Sequence, residues 1–311
     1  MMSELALRLL RWLSAVPHNW LVVMGNALGS LLYWLAAPRR RIARTNLRLC
    51  FPSLTEDERT RISKAHFRYF ARSFFDRFVL WYQPAERIRD LVQVRGMEHL
   101  EAVAGRPVIL LAPHFIGLDA GGTRLSLDRQ VISMFANQKN KVFNEAMRAG
   151  RSRFNDAVLL SRQEGLRTAI RMMRDGVPFY FLPDMDLGPR DSVFVPFFGV
   201  PAATVTSVAR LAQMTGAAVV PCVTGMTGQG YVVRLYPAWE NYPGDDLVAA
   251  TARMNQFIEA RALEMPAQYL WTHKRFKTRP PGEPDFYGRD LAAAPLVGEE
   301  TTLMAGRETV E

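Results

Sequence analysis

The strongest constraint on the fold is an alternation of short apolar runs with amphipathic segments after Gln93. Each apolar run has the length of one strand, and each amphipathic segment has the length of one helix. Such alternation predicts an α/β protein with a mostly parallel, twisted sheet flanked by helices on both faces. The predicted strands are 108–111, 130–135, 157–160, 178–182, 217–224 and 231–236, and the predicted helices are 98–104, 118–127, 142–148, 163–175, 204–214 and 246–264.

Two local signals refine this arrangement. The glycine-rich link 225–230 joins the last two strands and predicts an antiparallel hairpin at one edge of the sheet. Thr55 and Glu58 have the spacing of a capping box and predict the start of a helix that runs to about Trp81. The apolar side of that helix is wide, which suits either packing in the core or contact with an acyl chain.

An uncharged apolar segment at 20–37 is just long enough to span a bilayer. Aromatic side chains lie near both of its ends, and a block of five arginines follows it at 39–48. We therefore expect a membrane-associated N-terminal helix, with everything after residue 38 on the cytoplasmic side. A signal peptide and a buried core helix are the alternatives, and the segment itself leaves open whether it spans the membrane or lies in its surface.

The chain has 311 residues with a net charge of +9, and 49% of them are hydrophobic. This composition belongs to a folded protein, and the positive surplus predicts an anionic partner: phospholipid, nucleic acid or an acidic protein. Because an apolar membrane segment is present, lipid is expected and nucleic acid is not. The spacing of the two cysteines, and of the histidines, suggests neither a catalytic metal nor a cofactor.

The apolar run 108–111 stops at Pro113 and is followed by His114 and, five positions later, Asp119. Both side chains are thus predicted at the end of a strand, where α/β proteins place their chemistry. A histidine whose second nitrogen is held by a carboxylate acts as a general base, so we expect Asp119 to hold His114. The structural alternative is a histidine satisfied in a turn, with Asp119 capping a helix.

Other blocks supply candidate binding residues. Arg151, with Arg153 beside it, offers a planar cation for a phosphate or a thioester carbonyl. Asp184 and Asp186 follow a predicted strand and could orient an arginine or hold sugar hydroxyls. Surface charges and loop caps are the alternative interpretations, and Thr204 could be an ordinary helix N-cap. The remaining candidates are Arg190, Gly199, and the basic cluster after Trp271 that contains Lys274 and Arg275.

The His-x4-Asp element resembles glycerolipid acyltransferases, and four blocks together (114–119, 150–154, 183–204 and 268–280) resemble the lipid A late acyltransferases of Gram-negative bacteria. This resemblance implies transfer of a fatty acyl group from acyl carrier protein to a hydroxyl of a lipid A precursor at the inner membrane, on its cytoplasmic side. It implies His114 as base and Asp119 as its partner. The substrate-binding residues it implies are Arg151, Arg153, Asp184, Asp186, Arg190, Gly199, Thr204, Lys274 and Arg275.

Two other functions remain open. A glycerophospholipid acyltransferase would use the same base, but its Glu-Gly-Thr-Arg segment is replaced here by Pro-Asp-Met-Asp-Leu-Gly at 183–188. A non-catalytic protein that binds lipid at the membrane surface is the more distant alternative. The predicted organisation is a membrane anchor with a basic segment at 1–50, an α/β acyltransferase domain at 51–285 and a poorly structured tail at 286–311.

Overall fold

The computed structural model describes Arg8 and residues 11–161 and 165–288. Most of the predicted tail therefore lies outside the described residues. Its first residues belong to the body, because Tyr287 is buried and its hydroxyl contacts Asn46 and the main-chain nitrogen of Phe276. The helices are α1 (His18–Leu35), α2 (Ala37–Cys50), α3 (Glu56–Tyr82), α4 (Ala85–Leu91), α5 (Met97–Glu101), α6 (Leu118–Ser126), α7 (Lys141–Arg151), α8 (Gly165–Arg174), α9 (Ser207–Thr215) and α10 (Leu247–Glu264).

A seven-stranded sheet in the order β1-β9-β8-β2-β5-β3-β4 forms the centre of the molecule. Strands β8, β2, β5, β3 and β4 are parallel to one another. Strand β9 pairs antiparallel with β8 and parallel with β1. The predicted mostly parallel α/β fold is confirmed. The strands are β1 (Val92–Arg95), β2 (Val108–Leu111), β3 (Ile132–Phe135), β4 (Val158–Ser161), β5 (Phe179–Phe181), β6 (Ser192–Phe197), β7 (Val200–Val205), β8 (Ala218–Met226) and β9 (Tyr231–Leu235).

Two predictions made from the sequence are wrong. The predicted β8–β9 hairpin exists, but β1 covers its outer side, so the hairpin does not form the edge of the sheet. The helix predicted from Thr204 begins only at Ser207, because Thr204 pairs with Val193 in the separate β6–β7 hairpin. Gly199 lies in the turn of that hairpin with a φ of 76°, a conformation that glycine adopts without strain.

Two apolar layers cover the two faces of the sheet. Successive strand residues point to opposite faces, so Leu110 joins one layer and Ile109 the other. Helices α3, α6 and α7 contribute Phe78, Leu125 and Met147 to the first layer. The second layer receives side chains from α8, α9 and α10.

Helix α1 lies against α3 with almost no space between the backbones. A Cβ atom added to Gly29 would lie 2.4 Å from the Cα of Arg68, so the contact depends on the missing side chain. At Ala36 the chain turns by 91° into α2. Among the described helices, none taken alone has the length and hydropathy of a membrane span, and α1 and α2 meet that test only as a bent pair. The N-terminal membrane helix therefore stays a prediction.

Candidate active site

The topology brings two loops of the predicted site together. His114 follows β2 and Asp184 follows β5, and these strands are parallel neighbours. Because the carboxyl ends of parallel neighbours meet at one edge of the sheet, residues that are 70 positions apart come into contact there. The first turn of α6, which contains Asp119, begins at the same edge.

His114 is held by Asp184. Its Nδ1 lies 2.7 Å from Oδ1 of Asp184, and its main-chain nitrogen donates to Oδ2 of the same carboxylate at 2.9 Å. The Asp184 side chain is fully buried, whereas 17% of the His114 side chain is exposed. Burial by itself raises the pKa of Asp184, but the charge of His114 and these hydrogen bonds outweigh it and lower that pKa below its usual value.

The predicted hydrogen bond between Asp119 and His114 is therefore wrong, because the Asp119 carboxylate is bound elsewhere. Arg151 Nη2 donates to its Oδ1 at 2.5 Å, and Arg77 Nε donates to its Oδ2 at 2.7 Å. Burial would raise the pKa of Asp119, but the two guanidinium groups together lower it. The first turn of α6 directs Asp119 towards α3 and α7, which supply these two arginines.

Arg77 is a site residue that sequence reasoning missed. It belongs to no recognisable motif, and its contact with Asp119 spans 42 positions of the chain. The available signal was its spacing on α3, since Phe70, Ser73 and Arg77 lie on one face of that helix and all line the same cavity.

That cavity has a volume of about 290 Å³ and is bordered by His114 and by the Arg77–Asp119–Arg151 cluster. His114, Asp119, Arg77 and Arg151 line it, so the structure does bring the predicted base and the predicted carboxylate to one cavity although they do not touch. Its remaining lining comes largely from apolar residues of α6, β3, β4 and β5. The arrangement combines a histidine held by a carboxylate, two cations and an apolar space, which together suit a reaction on an acyl group.

Asp186 organises a neighbouring loop. Its carboxylate accepts hydrogen bonds from the main-chain nitrogen and the hydroxyl of Thr278, at 2.6 and 2.8 Å, and its own main-chain nitrogen donates to Nε2 of His273. Burial lowers the pKa of His273 to about 4, which keeps this imidazole neutral as a hydrogen-bond acceptor. Asp186 thus joins the block 268–280 to the segment after β5. Asp186 and His273 both lie outside the cavity lining.

Arg275 and Thr204 have internal roles that differ from the predicted substrate binding. Arg275 is 1% exposed and donates to the carbonyl oxygen of Ala203, the hydroxyl of Thr204 and the side chain of Asn255. Its charge therefore fixes the β6–β7 hairpin to α10. Thr204 is buried in the same network.

The other predicted binding residues lie outside the cavity lining. Arg153 donates to the carbonyl oxygen of Leu80 and lies over the ring of Phe154. Lys274 lies 5.3 Å from the ring centre of Tyr287, and the Arg190 side chain is 95% exposed. In the described part of the chain, no group of three or more His, Cys, Asp or Glu side chains is placed to hold a metal ion.

Comparison with known proteins shows the family of the chain. The family described as bacterial lipid A biosynthesis acyltransferase matches residues 2–278. The chain belongs to this family. It is 34% identical over 277 residues to the lipid A biosynthesis lauroyltransferase of Escherichia coli (strain K12), with 88% of this chain and 90% of that protein covered.

A myristoyltransferase and a more distant solved structure are also similar to this chain. The lipid A biosynthesis myristoyltransferase of Escherichia coli (strain K12) is 34% identical over 272 residues, covering 84% of this chain and 82% of that protein. A crystal structure of a 1-acyl-sn-glycerophosphate acyltransferase from Thermotoga maritima covers 77% of this chain and 96% of its own, at 15% identity and a TM-score of 0.38. That likeness is too distant to inform the site.

Proposed function

We propose that this protein transfers a fatty acyl group from a thioester donor to a hydroxyl of a lipid A precursor, with His114 as the general base. The observation that carries the proposal is the buried carboxylate of Asp184, 2.7 Å from Nδ1 of a histidine that lines an apolar cavity. Membership of the lipid A acyltransferase family supports the acceptor. The names of the relatives support the reaction.

The proton moves through His114. Because Asp184 accepts the hydrogen bond of Nδ1–H, Nε2 is the basic nitrogen and takes the proton of the acceptor hydroxyl. The hydroxyl oxygen attacks the thioester carbonyl carbon and forms a tetrahedral oxyanion. As the C–S bond breaks, the imidazolium returns its proton to the leaving thiolate, and an ester and a thiol result. The Asp184 charge stabilises the imidazolium between these steps.

Arg77 and Arg151 stabilise the negative charge that develops on the carbonyl oxygen. Both side chains are about a quarter exposed, at 26% and 24%, and both line the cavity beside His114. Asp119 holds one nitrogen of each, so the two guanidinium groups are fixed before the substrate arrives and keep a net positive charge.

The surface of α1 supports an inner-membrane location with the catalytic domain on the cytoplasmic side. One side of this helix packs on α3, and the opposite side exposes large apolar side chains at helical spacing. Three exposed arginines of α2 follow the 91° turn and would meet anionic headgroups. The exposed residues are Trp20, Val23, Met24, Leu31, Trp34 and Leu35 on α1, and Arg39, Arg41 and Arg44 on α2.

Acyl carrier protein is the donor that we propose. It is acidic, and this chain carries a net charge of +9, so their association is favoured electrostatically and weakens as salt is raised. No cofactor enters the reaction as proposed.

Mass spectrometry of lipid A from cells with and without this protein tests the function directly. We expect the loss of one acyl chain without the protein, its return with the wild type and no return with His114→Ala. In a parallel assay, purified protein receives acyl carrier protein donors with either a lipid A precursor or lysophosphatidate as acceptor. Acylation of lysophosphatidate alone would identify a glycerophospholipid acyltransferase, and full activity of a folded His114→Ala variant would remove the base.

A further inference from the structure

The active-site cavity continues away from His114 along one face of the sheet. Alternate residues of a strand point to the same face, and Val131, Ser133 and Phe135 of the β3 segment all line the cavity. Ile132, between them, packs in the apolar layer on the opposite face. One wall of the cavity is therefore the sheet surface of Val131, Ser133 and Phe135, and Met134 and Ala136 add to it where β3 ends.

Neighbouring strands extend this wall in rows. Ser133 pairs with Leu159 and with Tyr180, and all three residues line the cavity as its middle row. Ala157 precedes Leu159 by two residues and forms a lower row with Val131. Since two residues of strand advance by about 6.6 Å, the cavity extends roughly 13 Å from the row of Phe135 to the row of Val131.

The direction of the strands places His114 and this lower row at opposite ends. His114 follows the carboxyl end of β2, whereas Val131 and Ala157 precede the amino ends of β3 and β4, and all three strands are parallel. Val131 is 4% and Ala157 6% exposed, so the far end is closed to solvent. The cavity is thus a slot with the base near its open end.

The chemistry of the slot changes along its length. Among the residues that the structure describes, the charged side chains lining it are Arg77, Asp119 and Arg151, which all belong to the cluster near His114. Further in, the Tyr180 hydroxyl donates to the carbonyl oxygen of Leu118 at 3.0 Å, so its polar end is already satisfied. Ser133 and Thr123 add two hydroxyl groups to a lining that is otherwise largely hydrocarbon there, so the inner part carries no charge and suits a saturated chain better than an ionic group.

We propose that this slot holds the acyl chain of the donor and that Val131 and Ala157, at its closed end, set the length of chain accepted. The inference rests on the proposed function, since the reacting carbonyl must lie beside His114 while the chain points inward. A longer chain would have to displace the two side chains at the closed end. A shorter chain would leave empty space and lose contacts there.

Two substitutions at the closed end test the inference in opposite directions. Ala157→Leu shortens the slot, and we expect it to lower kcat/KM for the longest accepted donor relative to a donor two carbons shorter by about tenfold or more. Val131→Ala lengthens the slot and should raise kcat/KM for a donor two carbons longer, relative to the longest donor that the wild type accepts. Decanoyl, lauroyl, myristoyl and palmitoyl carrier-protein donors are compared with one acceptor.

Binding of free fatty acids gives a readout that does not need turnover. Decanoate, laurate, myristate and palmitate are titrated calorimetrically into wild type and both variants in a steroid-based detergent that does not resemble an alkyl chain. Opposite shifts of the preferred length support the proposal even if lipid A is not the acceptor. Unchanged preference in a folded Val131→Ala variant overturns it, and this variant keeps the test valid if Ala157→Leu does not fold.

Gln130→Leu is the matched control, because it adds a leucine beside Val131 in the chain but outside the cavity lining. Its native side chain makes one hydrogen bond, to the carbonyl oxygen of Asp156. We expect unchanged chain-length preference, and a shift as large as that of Ala157→Leu would contradict the assignment.

Discussion

At the scale of single residues, the two carboxylates of the site have different tasks. Asp184 holds the base, and Asp119 holds the two arginines beside it. We predict that Asp184→Asn lowers kcat by about 100-fold or more, because the amide cannot stabilise the imidazolium, and changes the pH dependence of kcat/KM. Asp119→Asn should lower kcat/KM without changing the form of that pH profile. Identical pH profiles for both variants would contradict this division.

Arg77 allows a second test of the same cluster. Arg77→Ala removes one of the two cations at the cavity, and we predict a fall of about 100-fold in kcat with a smaller change in KM, since the charge it stabilises is largest in the transition state. Added guanidinium ion should restore part of the rate. Arg61→Ala on the same helix is the control, because this arginine is exposed and does not line the cavity. A loss without rescue, together with a lowered Tm, would indicate a structural role.

At the scale of helices and strands, the α1–α3 contact positions the apolar surface of α1. We predict that Gly29→Leu destabilises the protein by at least about 1–3 kcal/mol, because its Cβ would overlap the backbone of Arg68. Ala27→Leu adds the same side chain on the exposed side of α1 and should leave the Tm unchanged. Thermal unfolding of both variants measures the difference, and equal Tm values would show that the helices separate without cost.

The exposed side of α1 supplies a second prediction at this scale. Trp20 and Trp34 are 63% and 66% exposed. Replacing both with Ser should reduce binding to vesicles that contain anionic phospholipid by tenfold or more, because the binding free energy loses the contribution of two indole rings buried in the membrane surface. Vesicle flotation measures this, and Met214→Ser is the control because Met214 is an exposed apolar residue of α9. Equal loss in both would argue against a specific surface.

At the scale of the whole molecule, the buried His66 and the half-buried His273 make the free energy of unfolding depend on pH. Burial lowers the pKa values of His66 and His273 from 6.5 to about 4. Between pH 6.5 and pH 4 these histidines bind protons in the unfolded chain but not in the folded protein. Their contribution to the free energy of unfolding is therefore fully present above pH 6.5 and is lost as the pH falls towards 4. Each imidazole contributes up to roughly 1.4 kcal/mol per pH unit in this window. His66→Asn should reduce the loss of unfolding free energy between pH 7 and pH 5.5, and an unchanged pH slope would contradict it.

The sequence alone determined the fold class and the location of the base. Apolar runs such as 108–111 identify buried parallel strands because hydrophobic periodicity is local information, and His114 lies at a strand end for the same reason. The β6–β7 hairpin was missed because its pairing, not its composition, distinguishes it from a helix start at Thr204.

Tertiary structure decided which groups meet. Asp119 is five positions from His114, yet Asp184, 70 positions away, holds the imidazole because β2 and β5 are neighbours in the sheet. Arg77 lies in the site because α3 packs beside α6. Arg275 is buried rather than exposed because Thr204 and Asn255 bind it in the interior. Strand order and helix packing depend on contacts between distant parts of the chain, and local sequence patterns do not specify them.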